Sequence, residues 1–275
     1  MSWFDSRSGI SVPPVVKNII LINVVVFVAT LLFGMEPDGF MMRNLALHPF
    51  LSPLFRPHQL VTHLFMHGGI THIFFNMFAV YMFGRILEQL WGSKKMLIFY
   101  TVTGIGAALV HLTVNYFQVS HMMKLVEQFN QSPSYTLFDQ IVNKYLLGTP
   151  SQWLTNFRQE WFYKPDDVSF IPQAKEILSQ LTENYLSVPT VGASGAVFGL
   201  LIAFAMMFPD VELMLIFLPI PIKAKYFVPI YALLELFFGV AGFQWDNVAH
   251  FAHLGGALFG FILVKIWKRN QFRIY

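Results

Sequence analysis

Two side chains that could act as a nucleophile and its base lie in apolar stretches of this 275-residue chain. Ser194 is flanked by small residues in Gly192-Ala-Ser-Gly, and His253 stands in Ala252-His-Leu-Gly-Gly256. Polar groups are costly in the hydrocarbon of a bilayer, so a serine and a histidine at membrane depth indicate a functional site. A serine hydroxyl needs a neighbouring base, which a histidine supplies. The pair predicts attack of Ser194 on a peptide carbonyl, with His253 moving the proton.

More polar side chains precede this pair in the chain. His72 and Asn76 are four residues apart, so they lie on one face of a helix and, with the backbone N–H of Ser194, could hold an oxyanion. His63 and His67 come just before a Gly-Gly break, where we expect them to line the access of water.

The sequence places no carboxylate beside His253. Asp246 lies in the loop before it, and Glu235 falls at a different depth of the preceding apolar stretch. We therefore expect a Ser–His dyad, and we interpret His250 as structural.

Composition excludes several other classes of protein. The chain is 55% hydrophobic and 12% charged, whereas soluble domains carry about 25% charged residues. It has no cysteine, which excludes disulfides and cysteine-based sites. His63 and His67 lack a His-Glu-x-x-His motif and a third ligand, so we expect no metal. We also expect no cofactor and no nucleic-acid partner.

The fold class that follows is an all-α membrane protein. A spanning helix needs about 20 apolar residues, and the stretches near this length are 15–33, 70–90, 96–117, 194–208, 226–240 and 248–267. The fourth and sixth stretches carry small residues spaced by four, which allow helices to pack closely in lipid. These are Gly195 and Gly199 in the fourth, and Gly256 and Gly260 in the sixth. Such packing would bring His253 to Ser194.

Lysines and arginines near the span ends indicate the orientation in the membrane. They place both termini in the cytoplasm, with a terminal segment 1–14, a six-helix domain 15–268 and a tail 269–275. The second, fourth and sixth spans then start at the outer face, where their polar residues meet. Residues 118–187, a large charged insertion between the third and fourth spans, are predicted to form an extracytoplasmic helical lobe. The start of the chain lacks the features of a signal peptide, and together with a cytoplasmic N-terminus this favours a bacterial plasma membrane, with an organellar membrane as the alternative.

Four sequence motifs resemble those of the rhomboid family of intramembrane serine proteases, over about 15–117 and 188–268. They are His63-Leu-Phe-Met-His67-Gly-Gly-Ile-Thr-His72-Ile-Phe-Phe-Asn76, Gly84-Arg-Ile-Leu-Glu88, Gly192-Ala-Ser-Gly-Ala-Val-Phe-Gly199 and Ala252-His-Leu-Gly-Gly256. The resemblance implies a six-helix bundle with a water-filled cavity, Ser194 as nucleophile, His253 as base, and His72 and Asn76 at the oxyanion. It implies cleavage of single-span membrane proteins near the outer boundary, in the lipid bilayer and without a cofactor.

The chain departs from this pattern at Phe198, where many members have a tyrosine that packs beside the catalytic histidine. The phenylalanine ring can still stack there. The insertion 118–187 has no counterpart in the family core. Two other functions remain open: a catalytically silent relative that binds transmembrane helices, and a transporter or channel. The intact Ser194 and His253 argue against the first, and the clustering of polar residues at one end argues against the second.

Overall fold

The computed structural model describes residues 12–36, 38–146, 149–215, 218–241 and 248–271. The terminal segments 1–14 and 269–275 predicted above fall largely outside these residues. The described part is mostly helical. Its α-helices are α1 Pro14–Phe33, α2 Phe40–Leu45, α3 Gln59–Thr62, α4 Ile70–Ala79, α5 Arg85–Trp91, α6 Ser93–Gln131, α7 Tyr135–Tyr145, α8 Gln152–Tyr163, α9 Ile171–Ser187, α10 Ser194–Met207, α11 Ala224–Ala241 and α12 His250–Gln271. A π-helical turn, Val80–Gly84, joins α4 and α5 into one continuous span.

Five of these helical segments are long and apolar enough to cross a membrane. They are Pro14–Phe33, Ile70–Trp91, Ser93–Gln131, Ala224–Ala241 and His250–Lys268. The remaining predicted span corresponds to α10, which is apolar but has only 14 residues. At 1.5 Å per residue α10 is about 21 Å long, which is shorter than a hydrocarbon core of about 30 Å.

Helix α10 lies at the centre of the bundle, between α6 and α12. Its glycines allow the close approach: a Cβ on Gly256 would overlap the carbonyl oxygen of Gly195, and one on Gly260 would lie 2.9 Å from the Cα of Gly199. On the α6 side, a Cβ on Gly199 would lie 2.7 Å from the Thr103 Cβ. The start of α12 is therefore held against the start of α10, where Ser194 stands.

The start of α1 is fixed to the end of the second span by one buried carboxylate. Glu88 accepts hydrogen bonds from the backbone N–H groups of Val15, at 3.0 Å, and Val16, at 2.8 Å. It also accepts one from the Ser93 hydroxyl at 2.7 Å. The first N–H groups of a helix have no partner within the helix, so Glu88 stabilises the start of α1.

Residues 118–187 fold around a hydrophobic core of their own. The last turns of α6 pack with α7, α8 and α9 around aromatic side chains that include Phe129, Phe138 and Trp161. Arg158 pairs with Asp139 at 2.6 Å across α7 and α8. We call this unit the helical lobe.

The segment after α10 forms a strand pair, which departs from the all-α expectation. Strands β1, Glu212–Leu215, and β2, Leu218–Lys223, are antiparallel, with Glu212 opposite Lys223. Pro219 and Pro221 lie in β2 and explain why this segment is not helical, because proline lacks the N–H that a helix requires.

Candidate active site

The serine and the histidine singled out from the sequence are in hydrogen-bonding contact. Ser194 is the first residue of α10, and His253 lies in the first turn of α12. The Ser194 Oγ and the His253 Nε2 are 2.9 Å apart, although the residues are 59 positions apart in the chain. With a proton on Nδ1, the imidazole accepts this hydrogen bond from the hydroxyl, as a general base must.

The expectation that no carboxylate would reach His253 is wrong. The His253 Nδ1 lies 2.8 Å from Oε2 of Glu235, on α11, and the His250 Nδ1 lies 2.6 Å from the same oxygen. Glu235 is only 5% exposed, so its carboxylate is removed from solvent. The contacts therefore run from Ser194 Oγ through both nitrogens of His253 to a buried carboxylate, which is a triad arrangement instead of the predicted dyad.

The error concerning Glu235 arose from its assumed depth. Glu235 lies six residues before the end of α11, and His253 lies three residues after the start of α12. At 1.5 Å per residue along each helix, these two depths differ by only about 5 Å, which a glutamate side chain can span. His250, which the sequence analysis treated as structural, is the second histidine on this carboxylate.

Aromatic rings hold the imidazole of His253 in place. Phe198, one turn after Ser194 in α10, stacks on the His253 ring with 4.3 Å between centroids and 8° between planes. The ring of Tyr231 in α11 packs against Phe198 at 5.0 Å. Because interiors are closely packed, this arrangement restricts rotation of the imidazole about its side-chain bonds.

His72 and Asn76 approach the backbone just before Ser194. Gly192 has a φ of 125°, and a Cβ placed on it would lie 2.7 Å from the His72 Nε2 and 3.8 Å from the Asn76 Nδ2. The buried Asn76 Nδ2 has no hydrogen-bond partner in the described part of the chain. Buried donors are normally paired, and an unpaired one beside a nucleophile suits a group that appears only during a reaction.

The two histidines expected at the water access occupy different places. His63 lines a small cavity with Ser194, His111 and Thr190, which has room for about one water molecule. His67 does not line this cavity, because its fully buried ring packs edge-on against His72 at 4.9 Å. Burial lowers the pKa of His63 to about 4 and that of His67 to about 3, so both rings are neutral at physiological pH.

Glu235, His250 and His253 also form a cluster that could hold a metal ion, where none was expected. One ligand atom from each residue lies within 4.8 Å of the others. Two histidines and a glutamate are a ligand set that zinc accepts. Two hydrogen bonds already join these side chains through the Glu235 Oε2, so the carboxylate is satisfied by the two histidines.

Comparison with known proteins matched two parts of the chain to family models. Residues 170–270 match the family described as "Rhomboid domain", and residues 19–143 match the one described as "Eukaryotic integral membrane protein". An uncharacterized mitochondrial rhomboid protein of Schizosaccharomyces pombe is 27% identical over 77% of this chain and 52% of its own length. A mitochondrial RHOMBOID-like protein of Arabidopsis thaliana is 30% identical over 49% of this chain and 39% of its own. The rhomboid protease AarA of Providencia stuartii is 34% identical over 21% of each chain.

The expected bacterial plasma membrane is wrong. The match to a eukaryotic membrane-protein family and the mitochondrial relatives point to a eukaryotic organellar membrane instead. The first residues of the given sequence carry no information on this point. The chain spans about half or less of the length of the first relatives it matches.

Proposed function

We infer that the chain belongs to the rhomboid family, and we propose that it is an intramembrane serine endopeptidase that cleaves single-span membrane proteins. One observation carries the proposal. The Ser194 Oγ lies 2.9 Å from the His253 Nε2, and the Nδ1 of the same ring lies 2.8 Å from the Glu235 carboxylate.

In the proposed reaction, Ser194 Oγ attacks the scissile carbonyl carbon while His253 Nε2 takes the hydroxyl proton. Glu235 keeps the proton of His253 on Nδ1 and stabilises the imidazolium that forms. His253 then donates its Nε2 proton to the leaving amine, and an ester to Ser194 remains. Water attacks this ester with His253 again acting as base, which releases the new carboxyl end and restores the hydroxyl. The cavity beside Ser194 and His63 supports the supply of that water.

The tetrahedral oxyanion would be held by donors already in place. The Asn76 amide is buried and unpaired in the described structure, and His72 lies beside it next to Gly192. The backbone N–H of Ser194 is a third donor, since the first N–H groups of α10 have no partner within the helix. Donors fixed in advance at the developing charge give a large share of the rate enhancement in acyl transfer.

We further propose that α10 is the fourth of six spans in a rhomboid bundle. The helical lobe connects the end of α6 to the segment leading into α10, so it lies at the same end of the bundle as Ser194. Cleavage would then occur near this boundary of the membrane, on the side that carries the lobe. The mitochondrial relatives support a eukaryotic organelle as the location.

The test is cleavage of a panel of single-span reporter proteins in liposomes. We expect the parent to cut near the lobe-side boundary and the Ser194→Ala and His253→Ala variants to be inactive. Ser187→Ala, which alters an exposed serine at the end of α9, is the matched control and should retain full activity.

Labelling with a serine-directed fluorophosphonate separates this function from its alternative. Labelling of the parent but not of Ser194→Ala supports a protease, whatever its substrate. A folded parent that neither cuts any reporter nor takes the label would instead be a silent relative that binds transmembrane helices.

A further inference from the structure

A second cavity lies at the end of the bundle opposite Ser194. It has a volume of about 150 Å³ and is lined by the end of α5, the first turn of α6, the last residue of α10 and the last turns of α12. Ser194 and Met207 are the two ends of α10, so this cavity is about 20 Å from the nucleophile. The active site therefore makes no use of it.

Two lysines, Lys95 and Lys268, bring positive charge to this cavity. The Lys268 Nζ donates one hydrogen bond to the carbonyl of Met206 at 2.9 Å, which leaves two of its three donors. The Lys95 Nζ lies 5.8 Å from the centre of the Trp267 ring. Both lysines thus line the same cavity.

Neither lysine has a carboxylate partner within the described ranges of the chain. The acidic side chain on the neighbouring helix, Glu88, is engaged with the start of α1 and with Ser93. Lys225, by contrast, is paired with Asp210 at 2.7 Å. Among the residues that the structure describes, no carboxylate neutralises the positive charge at this cavity, which leaves it available to an anionic ligand.

The rest of the lining is apolar and aromatic. Trp91 and Trp267 meet edge to face at 5.2 Å, and Val264 is fully buried beneath them. Leu90 is 51% exposed at the rim. Tryptophans and lysines at the ends of spans are typical of the level of lipid headgroups. An apolar floor below two cations suits a ligand with a charged head and a hydrocarbon body, and suits a fully hydrated inorganic ion less well.

We propose that this cavity binds the phosphate of an anionic phospholipid, with Lys95 and Lys268 as its partners. Trp91, Trp267 and Leu90 contact the glycerol and the first acyl carbons. Basic pockets between transmembrane helices bind headgroups of this kind. The site is independent of the protease reaction, and its test needs no substrate.

The experiment measures lipid retention by native mass spectrometry of the full chain released from detergent. The lipids offered are cardiolipin, phosphatidylglycerol and phosphatidylcholine, and a separate sample receives inorganic phosphate alone. We expect the parent to retain the two anionic lipids in preference to phosphatidylcholine. Each lysine near a headgroup contributes about fivefold to the affinity for an anionic lipid. The double variant Lys95→Gln/Lys268→Gln should therefore weaken this binding about 30-fold.

Lys94→Gln is the matched control, because Lys94 is an exposed neighbour that does not line the cavity. It should bind anionic lipid like the parent. The single variant Lys95→Gln leaves the Lys268 hydrogen bond intact. We expect its affinity for anionic lipid to fall about fivefold, and this result tests the proposal even if the double variant does not fold. Equal retention by the parent and Lys95→Gln would overturn the proposal. Binding of inorganic phosphate without preference for anionic lipid would overturn the assignment to a lipid.

Discussion

Glu235→Gln tests the feature of the active site that the sequence analysis missed. The substitution keeps the shape of the side chain and an oxygen acceptor, but it removes the charge 2.8 Å from the His253 Nδ1. Hydrogen bonds to charged groups contribute about 1.5–3 kcal/mol. If the carboxylate stabilises the imidazolium in the transition state, the loss corresponds to a kcat about 10- to 150-fold lower.

The predicted signature of Glu235→Gln is a lower kcat with an unchanged KM. Glu235 is buried behind His253 and has no route to a substrate, so binding should not depend on it. The measurement is the initial rate of reporter cleavage in liposomes across substrate concentrations. Glu212→Gln makes the same chemical change at an exposed position of β1 and should leave both constants unchanged.

Thermal unfolding in detergent completes the test of Glu235. The Glu235 carboxylate accepts hydrogen bonds from both histidines, so Glu235→Gln weakens both and should melt below the parent; kcat is therefore compared at a temperature where both proteins are folded. Glu235→Asp should also lose kcat, because its carboxylate is one methylene further from His253. The reasoning would be refuted if Glu235→Gln kept its kcat within about twofold of the parent, since a loss of about 1.5 kcal/mol is its smallest predicted effect.

Three other substitutions test separate parts of the structure. Asn76→Ala removes an unpaired buried donor and should lower kcat about 100- to 1000-fold without loss of fold; a normal rate in the reporter assay would exclude Asn76 from the oxyanion site. Gly256→Ala places a methyl group on the carbonyl oxygen of Gly195. It should lower the free energy of unfolding by about 1–3 kcal/mol and also reduce activity. An unchanged melting temperature would contradict the packing of α10 on α12. Glu88→Gln weakens the hydrogen bonds at the start of α1, including that of Val16. It should lower the free energy of unfolding by about 1–3 kcal/mol, seen as a lower melting temperature, and leave kcat unchanged. A loss of kcat at full stability would assign Glu88 another role.

Five of the six apolar stretches were predictable because each one has a single clear signal, an apolar length sufficient to cross a membrane. The predicted stretch 15–33 became Pro14–Phe33, and 226–240 became Ala224–Ala241. The end of the third stretch was not predictable, because α6 continues to Gln131 into the helical lobe. Charged residues within a continuous helix resemble a loop when only hydropathy is considered. The strand pair at 212–223 was missed for a related reason, since its prolines exclude a helix but do not specify what replaces it.

The candidate site could be predicted only where one motif carried it. Ser194 and His253 each stand among small residues, and the spacing of the glycines indicates which two helices approach. Glu235 stands among leucines and phenylalanines, and its role depends on how α11 lies beside α12. That relation is a tertiary one, which no short motif contains. The different positions of His63 and His67 depend in the same way on packing against α4 and α6.

The shortness of α10 follows from the position of its first residue. If α10 is a span of about 21 Å in a hydrocarbon layer of about 30 Å, then Ser194 lies below the membrane surface and the segment before it must descend into the layer. Irregular backbone is tolerated at that depth only where protein groups satisfy its hydrogen bonds. They do so here, because Leu47 and Thr190 exchange two backbone hydrogen bonds of 2.9 and 2.8 Å.

The connection between α1 and α4 is therefore part of the candidate active site, although it contributes no reacting group. The N–H of Gly192 donates to the carbonyl of His63 at 3.0 Å, which fixes the turn that presents Ser194 beside the small cavity. The φ of 125° at Gly192 is one that side chains with a Cβ rarely adopt, and a Cβ there would also meet His72. The proposed position of Ser194 below the membrane surface thus depends on three features together: a short helix, a glycine before it, and a folded connection that pairs the descending backbone.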